Sequence, residues 1–192
     1  MTRLAVVLTE GFADWEVSQL TASARTHFGF GLVIATPGGT AVTSMGGMTV
    51  AANASVEALQ PADFDGLILC GGTIWETDDA PDLRALVEGF IAADKLVAAI
   101  CGATLALARA GTLNNVAHTS NAPDFLNNAA GYTGRAHYRD VPQAVSEGKI
   151  VTAPGSAPIT FTAEVYRALG FGGEELDQYV ALFGAEHLSR AA

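Results

Sequence analysis

The most constraining stretch of the chain is Leu96-Val97-Ala98-Ala99-Ile100-Cys101-Gly102-Ala103, where five apolar residues run unbroken into a cysteine and then into a helical pattern. A strand without polar alternation is buried on both faces, the condition of a central parallel strand between two helical layers. A sharp strand-to-helix turn strains its central residue and crowds together the residues two before and two after it, so both must be small. Here they are Ala99 and Ala103. The Cys101 side chain is thus expected at the sheet edge, beside the Gly102 amide and at a helix N-terminus, where an anion is favoured and a thiol pKa lowered. A buried, inert cysteine is the competing reading.

The rest of the chain fits that strand. Leu4 to Leu8, Asp14 to His27 and Leu32 to Thr36 form a strand, helix, strand succession, the βαβ signature of a parallel sheet covered by helices. Asp14 is the expected helix cap. Ala41 to Ser44 and Thr49 to Ala51, separated by Met45-Gly46-Gly47-Met48, read as an inserted hairpin. Phe64 to Cys70 is the next strand, followed by Gly71-Gly72 and a helix from about Pro81 to Ala93. Gly102 to Ala110 forms a helix that Gly111 stops. A strand at Val116-Ala117 ends at His118, and Pro123 opens a short helix. Tyr138 to Val141 and Lys149 to Thr152, joined by Ser146-Glu147-Gly148, read as a second hairpin, and helices at about Ile159 to Leu169 and Glu174 to Ser189 close the chain. At 192 residues this is one domain, residues 1–192: an α/β fold with a mainly parallel sheet, helices on its faces and inserted hairpins.

Composition narrows the partners. Ten basic residues against 20 acidic ones, with no two Lys or Arg adjacent, argue against nucleic acid and anionic membrane. The first apolar run meets Glu10 too soon for a signal peptide, and two cysteines make no disulfide framework, so a cytoplasmic protein is expected. No metal-ligand spacing and no GxGxxG after the first strand are present; no metal and no cofactor are expected.

In an open parallel sheet, ligands gather outside the carboxyl ends of the strands. The runs above deliver Glu16, then Cys70-Gly71-Gly72, then Cys101, then His118 to that edge. The amides of Gly72 and Gly102 are candidate oxyanion donors. Glu16 is either an ordinary helix-start acid or a carboxyl held protonated beside an aromatic, able to donate a hydrogen bond to a thiolate. His118 is either a satisfied edge histidine or the imidazole of the site. Cys70 reads as a packing residue rather than a resolving thiol, and His27, His137 and His187 lie away from the strand ends.

Ile100-Cys101-Gly102-Ala103, Leu69-Cys70-Gly71-Gly72 and Glu16, with Ala153-Pro154-Gly155 before a closing helix, come in an order that resembles the DJ-1/PfpI (ThiJ) superfamily over nearly the whole chain. The resemblance implies a flavodoxin-like α/β three-layer sandwich, a homodimer, and a reactive, oxidation-prone Cys101 as nucleophile. Glu16 would be its protonated partner, Gly72 and Gly102 the oxyanion donors, and His118 a nearby imidazole. The peptidase-like and chaperone-like branches carry histidine where this chain has Gly102. Class I glutamine amidotransferases place a His-x-Glu pair where it reads Pro154-Gly155-Ser156-Ala157-Pro158. The branch with a small residue after cysteine fits best. It implies conversion of small reactive carbonyls such as methylglyoxal, or deglycation, by thiolate addition; an oxidation-sensing protein and a small amide or ester hydrolase are the alternatives. The apolar-rich composition agrees with a homodimer, and the resemblance implies that its interface lies near Glu16 and the first helix.

Overall fold

The computed structural model describes residues 1–188. Seven strands form one sheet in the order β5-β2-β1-β6-β7-β9-β8. They are β1 (Arg3–Val7), β2 (Gly31–Thr36), β5 (Ala54–Ser55), β6 (Gly66–Leu69), β7 (Leu96–Ile100), β8 (Val145–Glu147) and β9 (Ile150–Ala153). All neighbours pair in parallel except β8 with β9. A separate two-stranded hairpin, β3 (Val42–Thr43) with β4 (Thr49–Val50), realises the Gly46-Gly47 insertion.

The side-chain alternation of each strand sorts the core into two layers. Ala5, Val7, Leu67, Leu69, Val97 and Ala99 face one way and pack with α2 (Arg84–Ala92) and α3 (Thr104–Arg109). Leu4, Val6, Ile68, Ala98, Ile100 and Val151 face the other way and pack with α1 (Asp14–Thr26) and α4 (Pro158–Ala168). Every residue of β7 is buried, as its unbroken apolar run requires. This is the expected three-layer sandwich. Strand order reverses at β1, so the crevice between the carboxyl ends of β1 and β6 is the switch point at which such sheets bind ligands.

Four local expectations are corrected. Val116-Ala117 is not a strand: Glu147 takes the Ala117 N–H at 2.7 Å and Thr152 Oγ1 takes the Thr119 N–H at 2.9 Å, so side chains replace a ladder. Only an isolated bridge, His118 with Tyr138, remains. The second hairpin joins Val145–Glu147, not 138–141, to Ile150–Ala153. Gly148, at φ 59°, makes a two-residue turn with Lys149, which forces Ser146 and Glu147 into the strand. Pro123 opens a run of turns rather than a helix, with Asp124 held by Arg135 and Asn127. Asp14 does not cap α1. Ala13 is the N-cap, and the Asp14 carboxylate accepts the Gly46 N–H at 2.8 Å, tying the hairpin to the helix. Helix α2 begins at Arg84, three residues after Pro81, while α5 (Glu174–Leu188) matches its expected span except for Ser189, which lies outside the described residues.

Candidate active site

Strand β7 ends at Ile100, and Cys101 turns the chain into α3 with φ 58°, a left-handed conformation that a side chain adopts only when its surroundings enforce it. The elbow is real. Its companion Gly102 has no room for a side chain, since a Cβ there would stand 2.7 Å from Gly72 O and 3.3 Å from the buried Trp75. The small residue after the cysteine therefore has a packing cause: the β6 exit passes directly over it. Thr104 anchors the turn by donating to Cys101 O at 2.6 Å.

Glu16 lies in the first turn of α1 and is fully buried. Gly71 N–H donates to its Oε2 at 2.8 Å, whereas Oε1 is buried without a conventional partner. That second oxygen looks at the thiol. A Cβ on Gly155 would lie 2.9 Å from Oε1 and 2.8 Å from Cys101 Sγ, and one on Gly71 would lie 2.6 Å from Cys101 Cβ. Two glycines thus leave the space in which carboxyl and thiol meet. Burial drives the Glu16 pKa up to about 7, against the opposing pull of its bonds to Cys101 and Gly71.

The expectation of a low thiol pKa is overturned while Glu16 is ionised. Burial, and after it the Glu16 charge, push Cys101 up to about 11, outweighing donors at Asn121 and Gly102 that stabilise the thiolate. The helix N-terminus loses to desolvation and a like charge. The two groups titrate as a pair, and the location of their shared proton decides whether sulfur or carboxyl carries the charge.

Asn121 was not foreseen. Its Nδ2 lies 3.3 Å from Cys101 Sγ, and its Oδ1 accepts the Gly155 N–H at 3.0 Å. Because a backbone N–H must face an acceptor, that second bond sets the amide orientation and turns the NH2 toward sulfur. A usable signal exists in the sequence: Asn121 follows His118-Thr119-Ser120 on the same loop, and its amide is a neutral donor of the kind a thiolate can use.

His118 is placed elsewhere. It is buried, with Nδ1 2.8 Å from Val116 O and Nε2 2.8 Å from Tyr132 Oη. A carbonyl only accepts, so Nδ1 carries the proton and Nε2 accepts from the tyrosine. Both nitrogens are occupied away from the thiol, and burial lowers the imidazole pKa, so the ring is neutral. The structure assigns it to anchoring residues 116–121 against the two aromatics Tyr132 and Tyr138. Cys70 is fully buried, its Sγ 3.5 Å from Ala13 O and its pKa raised by desolvation; both cysteines are free thiols. Gly72 N–H has no hydrogen-bond partner among the described residues, and Gly102 N–H faces the Cys101 sulfur. No group of three metal-ligating side chains is assembled among the described residues.

The DJ-1/PfpI family model matches residues 2–168. The chain belongs to the DJ-1/PfpI family. Among curated relatives, the uncharacterized protease YoaZ of Bacillus subtilis is 34% identical over 165 residues, covering 82% of this chain and 78% of its own. The uncharacterized protease YdeA of the same organism is 30% identical over 177 residues, covering 91% and 87%. Among solved structures, a DJ-1 superfamily protein from Agrobacterium tumefaciens superposes with TM-score 0.94 at 49% identity, over 97% of this chain and 100% of that one. The Agrobacterium structure shares the fold in which the sheet edge carries the Cys101 elbow here. Among the described residues, no helix is long and apolar enough to cross a membrane.

Proposed function

We propose that the chain is a cysteine-dependent enzyme acting on small reactive carbonyls, with Cys101 as nucleophile and Glu16 as the proton carrier. The observation that carries this reading is Glu16 Oε1: a buried carboxyl oxygen without another partner, turned to the thiol, on a group that titrates near neutral pH. A carboxyl with a pKa near 7 both gives and takes protons at physiological pH. In the first step Cys101 sulfur bonds to the aldehyde carbon of an α-oxoaldehyde, and the carbonyl electron pair moves to oxygen. Gly72 and Gly102 N–H groups hold that oxyanion until protonated Glu16 gives it a proton, leaving a hemithioacetal and a Glu16 carboxylate. The Glu16 carboxylate then removes the proton from the former aldehyde carbon and returns it to the adjacent one, while the hydroxyl proton passes to the neighbouring carbonyl oxygen, converting the hemithioacetal into a 2-hydroxyacyl thioester. Water hydrolyses the thioester, giving the 2-hydroxy acid and the free thiol. No external oxidant is required, because one carbon is oxidised as its neighbour is reduced.

His118 takes no part in this scheme, since its nitrogens are committed. A protease reading, suggested by the names of two relatives, needs an acid to protonate a leaving amine; of the groups gathered at Cys101, Glu16 alone could serve as that acid. A redox-protective role is the second reading, favoured by the same donors at Asn121 and Gly102, which would bind the oxygens of an oxidised sulfur. Half-exposed Trp15, with Met45 and Met48 on the neighbouring hairpin, supports a homodimer interface beside the site. The test is turnover of methylglyoxal, read as formation of the hydroxy acid, by wild type, Cys101→Ser and Glu16→Gln. Turnover lost in both variants supports the reading; a wild type that produces no acid but takes up oxygen on Cys101 under peroxide replaces it with the redox role.

A further inference from the structure

Asn121 is solvent-exposed, and an exposed asparagine samples several rotamers unless something holds it. The holding bond is Gly155 N–H to Oδ1, at 3.0 Å. Gly155 itself sits where a side chain cannot, against Cys101 Sγ and Glu16 Oε1, so the backbone there gains nothing from packing by its own residue. The carbonyl on the other side of its Cα is held as well: the Trp15 indole Nε1–H donates to Gly155 O at 2.9 Å, across 140 positions of sequence. Trp15 precedes Glu16 on α1, yet its ring is turned outward and is 51% exposed, an unusual position for so large an apolar group. Hydrogen bonding to Gly155 explains why it is there.

We propose that Trp15 is a positioning residue for the nucleophile, acting through a chain in which its indole holds the Gly155 carbonyl and so the backbone at Gly155, the Gly155 N–H fixes the Asn121 amide, and Asn121 donates to Cys101 Sγ. Asn121 is then a catalytic residue, since it touches the reacting atom. Helix α1 serves the thiol twice, directly through Glu16 and indirectly through Trp15. The proposal rests on Cys101 being the nucleophile of the function proposed above, but not on which electrophile it attacks.

Iodoacetamide alkylation of Cys101, followed across pH by mass spectrometry, tests it on the intact chain. A hydrogen bond to a charged group is worth enough to slow Asn121→Ala by about 10-fold at pH 8. Trp15→Phe, which keeps the ring and loses the N–H, is expected to slow it by about 3-fold and to shift the pH profile upward, as a neutral hydrogen bond acting at one remove would. The double variant should be no slower than Asn121→Ala alone, because the indole has nothing left to position. Effects that multiply overturn the chain, as does a Trp15→Phe protein that melts at a lower temperature or dissociates in sedimentation while its alkylation profile stays that of wild type. If Trp15→Phe does not fold, Trp15→Tyr carries the same expectations. A wild-type Cys101 inert at every pH removes the functional reading itself, a result distinct from a reactive cysteine indifferent to Trp15 and Asn121.

Discussion

Strands β6 and β7 lie side by side, and each is an apolar run that ends in Cys-Gly, yet the two cysteines have opposite fates. At the β6 exit the backbone keeps its extended path for one more residue: Cys70 N–H bonds to Val7 O at 3.2 Å, and the thiol points into the layer formed with α1 and α4. At the β7 exit the backbone breaks at once, with Cys101 at φ 58°, and the thiol, which the alternation after Ile100 would send toward α2 and α3, turns instead to the sheet edge beside Glu16 of α1. The residues after each cysteine make the difference. Cys70 is succeeded by two glycines and a turn that lets the chain pass over its neighbour; after Cys101 a helix starts within three residues. A strand-end cysteine becomes chemical only when the turn rotates it out of the strand's alternation.

The largest test of that contrast is turnover. Cys101→Ser is expected to lose at least about 10³-fold, the scale on which removing a covalent nucleophile acts, whereas Cys70→Ala should keep activity within about 3-fold. Comparable losses at both positions would erase the distinction. Alkylation sharpens it. In the folded protein Cys101 should react at least about 100-fold faster than Cys70, because reaction at a buried thiol waits on local opening; equal rates after complete unfolding are the matching control.

Glu16 separates reactivity from catalysis. Glu16→Gln removes the charge that raises the Cys101 pKa and keeps an acceptor for Gly71, so the thiol should titrate at lower pH than in wild type, while turnover falls for want of a proton carrier. A thiol titration unchanged or raised in Glu16→Gln contradicts the electrostatic account. The same residue shapes stability. Its folded pKa, about 7, lies above the ordinary value of 4.5, so between those pH values the unfolded chain is ionised while the folded one stays protonated. Stability from this group is full below 4.5 and is lost as pH rises through 7, by up to about 3 kcal/mol. Urea unfolding of wild type and Glu16→Gln at pH 5 and pH 8 should show the gap between them shifting in favour of the glutamine variant at pH 8.

The smallest expected effect is at His118. Its pKa is lowered by burial, so its contribution to stability is present above 6.5, the ordinary histidine value, and declines as pH falls below it, the opposite slope to Glu16. His118→Gln should cost about 1–3 kcal/mol through the partners it leaves unpaired and leave the Cys101 alkylation profile in place. A change in that profile would return His118 to the site.

Much of this was legible along the chain because it depends on local patterns. The unbroken run at 96–100 required a doubly covered strand, the small residues at 99 and 103 permitted an elbow, and Gly46-Gly47 marked a hairpin. Strand exits gather at one edge of a parallel sheet, so Glu16, Gly71-Gly72 and Cys101 could be collected before any distance was known. The misreadings lie mostly between 112 and 148, where backbone groups are satisfied by side chains from afar. Val116-Ala117 has a strand's composition, but Glu147 and Thr152 take the N–H groups that a ladder would have used.

The amino-acid sequence determined the fold class and the cysteine elbow, because hydrophobic period and turn sterics act over a few residues and are written where they act. Tertiary structure alone decided which neighbours the thiol has. Asn121 reaches it from one loop, Trp15 acts from α1 through Gly155, and His118, three residues from Asn121, turns away to Tyr132. It also set the sign of the thiol's pKa shift. Desolvation and the Glu16 charge depend on how deeply two groups from residues 16 and 101 are buried together, and they outweigh the helix N-terminus that local sequence could show.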